Sequence, residues 1–99
     1  MPRPTKLTPE VEARLVGGVR AGLTLGLACE MVGITPRTYQ RWMASPRPEH
    51  QQLREAVQRA RAGCEGDLVA RMTLAAHRGS WRAAAWLLER QAPDRWERP

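Results

Sequence analysis

Residues 24–43 read Thr24-Leu25-Gly26-Leu27-Ala28-Cys29-Glu30-Met31-Val32-Gly33-Ile34-Thr35-Pro36-Arg37-Thr38-Tyr39-Gln40-Arg41-Trp42-Met43. The spacing predicts two short amphipathic helices joined by a three-residue turn centred on Gly33. Thr24 can cap the first helix, because a threonine hydroxyl accepts from backbone N–H groups that have no intrahelical partner. Ala28 and Cys29 are small where two such helices must cross closely. Gly33 falls where a helix ends in the left-handed region, which glycine enters at least cost. Ile34 reads as a buried plug, Thr35 as the second cap, and Pro36 as a first-turn residue whose missing N–H loses nothing. Tyr39 and Trp42, three apart, are expected to face inward with Val32 and Ile34. Thr35, Arg37, Thr38, Gln40 and Arg41 are left on the outer face, a set of donors and acceptors with no carboxylate. This is the pattern of a helix-turn-helix, whose second helix enters the major groove of double-stranded DNA. The alternative is that two capped helices joined by a glycine form only a packing unit.

Working outward, Thr8-Pro9-Glu10 is a helix start with a cap, a first-turn proline and an acid at the positive end of the helix dipole. Val11, Leu15, Val16 and Val19 then recur at helical spacing as far as Gly22, giving a three-helix head over residues 8–44. Residues 1–7 form a proline-rich basic arm, expected to be disordered, with Arg3 and Lys6 able to follow a phosphate backbone or enter a minor groove. Residues 45–48, Ser45-Pro46-Arg47-Pro48, break the helical pattern and read as a stiff hinge.

Beyond the hinge, Leu53, Val57, Ala60, Cys64, Leu68, Met72 and Ala75 are spaced by three or four. They predict a helix of about 29 residues, roughly 43 Å long at 1.5 Å per residue. Gly63 and Gly66 weaken its middle, but a continuous helix is expected. Gly79 is a stop and Ser80 a cap, so Trp81 to Gln91 forms a further helix bearing Trp81, Ala84, Ala85 and Leu88 on one face. The two helices are expected to make an antiparallel hairpin over residues 49–92, followed by a tail over 93–99. The fold class is therefore all-α. The hairpin shows more apolar surface than two helices can bury against each other, so it is expected to oligomerise, with Leu53, Val57, Leu68, Met72, Trp81 and Leu88 in the contact. The alternative is that the same surface packs back on the head of a monomer.

The chain has 99 residues and a formal net charge of +6, and Lys6 is its single lysine, so arginine carries the excess. That excess is spread over both halves and favours a polyanionic partner through release of condensed counterions. Cys29 and Cys64 have no CxxC or His-Cys spacing, which argues against a metal site and for small core residues in a reducing compartment. No phosphate-binding glycine loop is present, and no cofactor is expected. His50 and His77 fall on expected helix surfaces without a neighbouring nucleophile or paired acids, and the glutamates are scattered as helix partners are. A non-enzymatic protein is the expectation. The first residues lack an apolar leader core and no stretch approaches the length of a membrane span, so a soluble intracellular chain with no membrane partner is expected.

The order of parts resembles the small terminase subunit of tailed bacteriophages: a basic arm, the Ala28–Trp42 run and an oligomerising hairpin. The stretch Ala76-His77-Arg78-Gly79-Ser80-Trp81-Arg82-Ala83-Ala84-Ala85-Trp86-Leu87-Leu88-Glu89-Arg90 with Pro93-Asp94-Arg95-Trp96 is similar to a segment of phage-encoded helix-turn-helix proteins. The resemblance implies a ring that recognises viral DNA at the packaging site in the host cytoplasm and regulates the large terminase subunit, which holds the ATPase and nuclease. It places Arg37, Thr38, Gln40 and Arg41 against DNA and the hairpin in the ring. Many members continue further than this sequence does, which leaves the tail around Trp96 as the candidate docking surface for the large subunit. A helix-turn-helix transcription regulator or transposase-type protein is the alternative, expected to act as a two-fold dimer on half-sites about 34 Å apart.

Overall fold

The computed structural model describes residues 6–96, and among them every regular element is an α-helix. These are α1 (Pro9–Arg20), α2 (Leu25–Val32), α3 (Pro36–Ala44), α4 (Pro48–His77), α5 (Trp81–Gln91) and α6 (Pro93–Trp96). Arg3 and most of the expected basic arm lie outside the described residues. Lys6 is exposed, whereas Leu7 is half-buried and packs against the core.

Four helices start on hydroxyl caps. The side chains of Thr8, Thr24, Thr35 and Ser80 accept from the backbone N–H of Val11, Leu27, Thr38 and Ala83. Three stops have one physical form. Gly22, Gly33 and Gly79 take positive φ of 98°, 80° and 107°. In each case the glycine N–H and the next N–H donate back to carbonyls three and five residues earlier, as in Ile34 to Cys29 at 3.0 Å and Gly33 to Glu30 at 3.1 Å. That pairing satisfies carbonyls the helix end would otherwise leave open.

The chain divides into two compact units at Cys64/Glu65, inside α4 rather than at the prolines. In the first unit, α1, α2, α3 and the first half of α4 share one core of Leu15, Val19, Ala28, Cys29, Ile34, Tyr39, Trp42, Leu53, Val57 and Ala60. Leu15 and Leu53 have no exposed surface. Leu53 and Val57, expected in an oligomer contact, are thereby corrected to core residues of the head. The reason is that a three-helix head of short helices cannot cover Leu15, Tyr39 and Trp42 by itself, and the first four turns of α4 supply the missing wall. Only Ser45 to Arg47 stay non-helical at the expected hinge, since Pro48 is the first residue of α4 and costs no hydrogen bond there.

The second unit holds the rest of α4 with α5 and α6. Helix α4 runs unbroken through Gly63 and Gly66. Within the expected tail, residues 93–96 form a one-turn helix, with the N–H groups of Arg95 and Trp96 both donating to the Ala92 carbonyl at 3.0 Å. Leu68, Val69, Leu74, Trp81, Trp86, Leu88 and Trp96 are exposed in this unit, Met72 is half-buried, and Trp81 reaches 72% exposure.

Candidate nucleic-acid interface

Helix α3 is short, nine residues or about 13.5 Å at 1.5 Å per residue, and a helix with side chains, about 10–12 Å across, matches a major groove about 12 Å wide. Its sequence sorts cleanly by face. Tyr39 and Trp42 are buried in the head with Ile34 before them, while Arg37, Gln40 and Arg41 are exposed. An exposed guanidinium or amide on a helix pinned from below by two large aromatics can reach outward without the scaffold moving. No acidic residue occurs between Ile34 and Pro48, so nothing on α3 repels a phosphate.

The two threonines differ from the three longer side chains. Thr35 Oγ1 accepts from the Thr38 backbone N–H at 3.1 Å, and the Thr35 and Thr38 hydroxyls share a further hydrogen bond at 3.1 Å. Thr35 is exposed and Thr38 half-buried. Their hydroxyls already close the first turn of α3, so the outward chemistry falls chiefly on Arg37, Gln40 and Arg41.

The other end of α3 is held by a residue the sequence did not single out. Arg54 of α4 donates from its guanidinium to the Met43 carbonyl, one of the last-turn acceptors that a helix leaves open. On the next element, Arg14 of α1 donates to the Met31 carbonyl near the end of α2 at 3.1 Å. The C-terminal ends of α2 and α3 are therefore each tied to a neighbouring helix. Spacing alone does not reveal an arginine that caps another helix, because the contact depends on which helices become neighbours.

His50 also departs from expectation. Instead of lying on an open helix surface it is half-buried, its ring stacked on Trp42 with centroids 5.9 Å apart and planes 19° apart. Its Nδ1 is buried without a hydrogen-bond partner. It therefore braces the inner side of α3 and is not presented to a ligand. His77 is exposed.

Burial governs the two groups whose ionisation is displaced. Desolvation pushes the Cys29 thiol up from its ordinary value. It raises the Tyr39 phenol as well, with the Arg61 guanidinium of α4 pulling the other way and Cys29 adding slightly. Cys29 is thus a packed, protonated thiol. Cys64 is half-buried, with its Sγ lying against Gly22. Among the described residues no group of His, Cys, Asp and Glu is arranged to hold a metal ion. No helix there is long and apolar enough to cross a membrane.

No family model, curated protein or solved structure gives a significant match to the chain.

Proposed function

We propose that this chain is a double-stranded DNA-binding protein that uses α2 and α3 as a helix-turn-helix. Residues 65–96 gather copies of it into a homo-oligomer. On this reading it serves as a small terminase subunit, recognising viral DNA at the packaging site and regulating the large subunit. The observation that carries the DNA reading is the outer face of α3, where Arg37, Gln40 and Arg41 stand exposed over a buried Tyr39–Trp42 underside. Arginine is suited to bidentate contacts with guanine and with phosphate, and glutamine to adenine. The net charge of +6 supplies the non-specific part. Thr35 and Thr38 shape the first turn, and the exposed Lys6 adds a further cation for the phosphate backbone.

Self-association is supported by the seven large apolar side chains exposed after Cys64. Clusters of that kind on a small chain usually mark a contact surface. Leu68, Met72, Trp81 and Leu88 carry this part of the reading, without Leu53 and Val57. The terminase assignment adds the sequence resemblance of the Ala28–Trp42 run and the Ala76–Trp96 segment. No catalytic role is assigned to any residue.

Two measurements test the proposal. Duplex binding followed against salt should give a slope of log K on log salt near −4 to −5 if each head meets about four to six phosphates. A flat response refutes DNA binding. Native mass should show a closed assembly of many subunits for the packaging role, whereas a dimer points to a transcription regulator or transposase-type protein. Arg41→Ala should weaken binding by about 1–3 kcal/mol and alter sequence preference if it reads a base.

A further inference from the structure

The first half of α4 carries a second set of polar residues beside α3. Arg47 just before the helix, then Gln51, Arg54, Gln58 and Arg61, fall at steps of four, three, four and three. That spacing places them on a single stripe of a helix with 3.6 residues per turn. The stripe alternates arginine with glutamine and contains no carboxylate before Glu65. It is offset from the buried stripe of Leu53, Val57 and Ala60.

One contact ties this stripe to α3. Arg54 donates to the Met43 carbonyl in the last turn of α3, and Gln58 and Arg61 follow on the same edge of α4 over the next two turns. The Arg-Gln edge of α4 therefore meets α3 at its last turn, at Met43, two residues beyond Arg41. Gln51, Gln58 and Arg61 are exposed, Arg54 is half-buried with one donor engaged, and Arg47 is drawn 3.9 Å from Glu49. Arg61 follows Arg54 on this edge by seven residues, about 10.5 Å at 1.5 Å per residue.

We infer that this edge of α4, through Gln58 and Arg61 with Arg54 positioning α3, is a phosphate-contacting flank for the same duplex that α3 enters. The inference rests on the DNA-binding reading above and extends its footprint from one helix to two. Arginine and glutamine are donors to phosphate oxygens, and such contacts set register without carrying sequence information. The stripe therefore contributes affinity and orientation, while Arg37, Gln40 and Arg41 contribute discrimination. Elsewhere on α4, Arg59 lines a groove against α1 with Val16, Arg20 and Ala60, away from the α3 edge. It provides the internal control.

The experiment uses the full chain and a mixed-sequence duplex, with binding measured by anisotropy across a salt series. The variants are Arg61→Gln, Gln58→Glu, Arg59→Gln and Arg41→Ala, each shown by circular dichroism to melt as the wild type does. Arg61→Gln should make the slope of log K on log salt shallower by about 0.9, the value of one phosphate contact. Gln58→Glu should weaken binding at low salt, and neither change should alter the preference among sequences. Arg59→Gln should leave the slope as in the wild type. If Arg61→Gln and Arg59→Gln behave alike while Arg41→Ala still loses affinity, the flank is overturned and the α3 reading stands. If the wild type shows no salt-dependent duplex binding, the DNA reading itself fails and the flank with it.

Discussion

Leu53→Ala separates a core role from an interface role for the start of α4. Leu53 is fully buried and packs in the cluster that includes Leu15, Ala28, Tyr39 and Trp42. Removing most of a buried leucine costs the transfer free energy of the lost carbons plus a cavity term, about 2–5 kcal/mol in total. A small domain has about 5–15 kcal/mol to lose, so the loss is a large share of the total. For a domain of this size each kcal/mol moves the midpoint by about 4–8 °C, which predicts a fall in Tm of about 8–40 °C. The assay is thermal melting by circular dichroism at two protein concentrations, with Leu68→Ala as the comparison. Leu68 is 59% exposed, so its truncation should change the melt of dilute protein by roughly 0.5 kcal/mol or less. At high concentration, where association adds to stability, Leu68→Ala should lower the melt and Leu53→Ala should lower both equally. The reasoning is refuted if Leu53→Ala leaves the dilute melt unchanged and only reduces the assembled mass.

Other substitutions test local features. Gly66→Ala adds a methyl that meets nothing within 4 Å, so it should stabilise α4 by about 0.5–1 kcal/mol in urea unfolding. Gly63→Ala should gain less, because its Cβ would sit 2.8 Å from Arg20 Nε and must displace that side chain. Thr35→Ala removes the hydroxyl that accepts from the Thr38 N–H and should cost about 1 kcal/mol, seen as a lower urea midpoint. Stability should also fall in alkali. Cys29 and Tyr39 have folded values raised above the ordinary 9.0 and 10.0, so above about pH 9 the unfolded chain releases protons that the folded chain retains. The stability present below pH 9 is then lost as pH rises through the folded values, and Cys29→Ala should delay the onset of the decline in a urea-midpoint series.

The sequence by itself determined α1 to α5 and most of their ends, because these depend on neighbours in the chain. A threonine or serine hydroxyl reaches the N–H three residues on, as at Thr8, Thr24, Thr35 and Ser80. A glycine enters positive φ where the helix stops, as at Gly33 and Gly79. The outward set on α3 was legible for the same reason: once Tyr39 and Trp42 turn inward, 3.6-residue geometry leaves Arg37, Gln40 and Arg41 outside. An apolar stripe, however, announces that a face is buried without naming what buries it. Tertiary structure alone decided that Leu53 and Val57 close the head, that His50 stacks on Trp42, and that Arg54 ends α3. Each of these joins residues from different elements, and which helices become neighbours is settled by the packing of the whole unit.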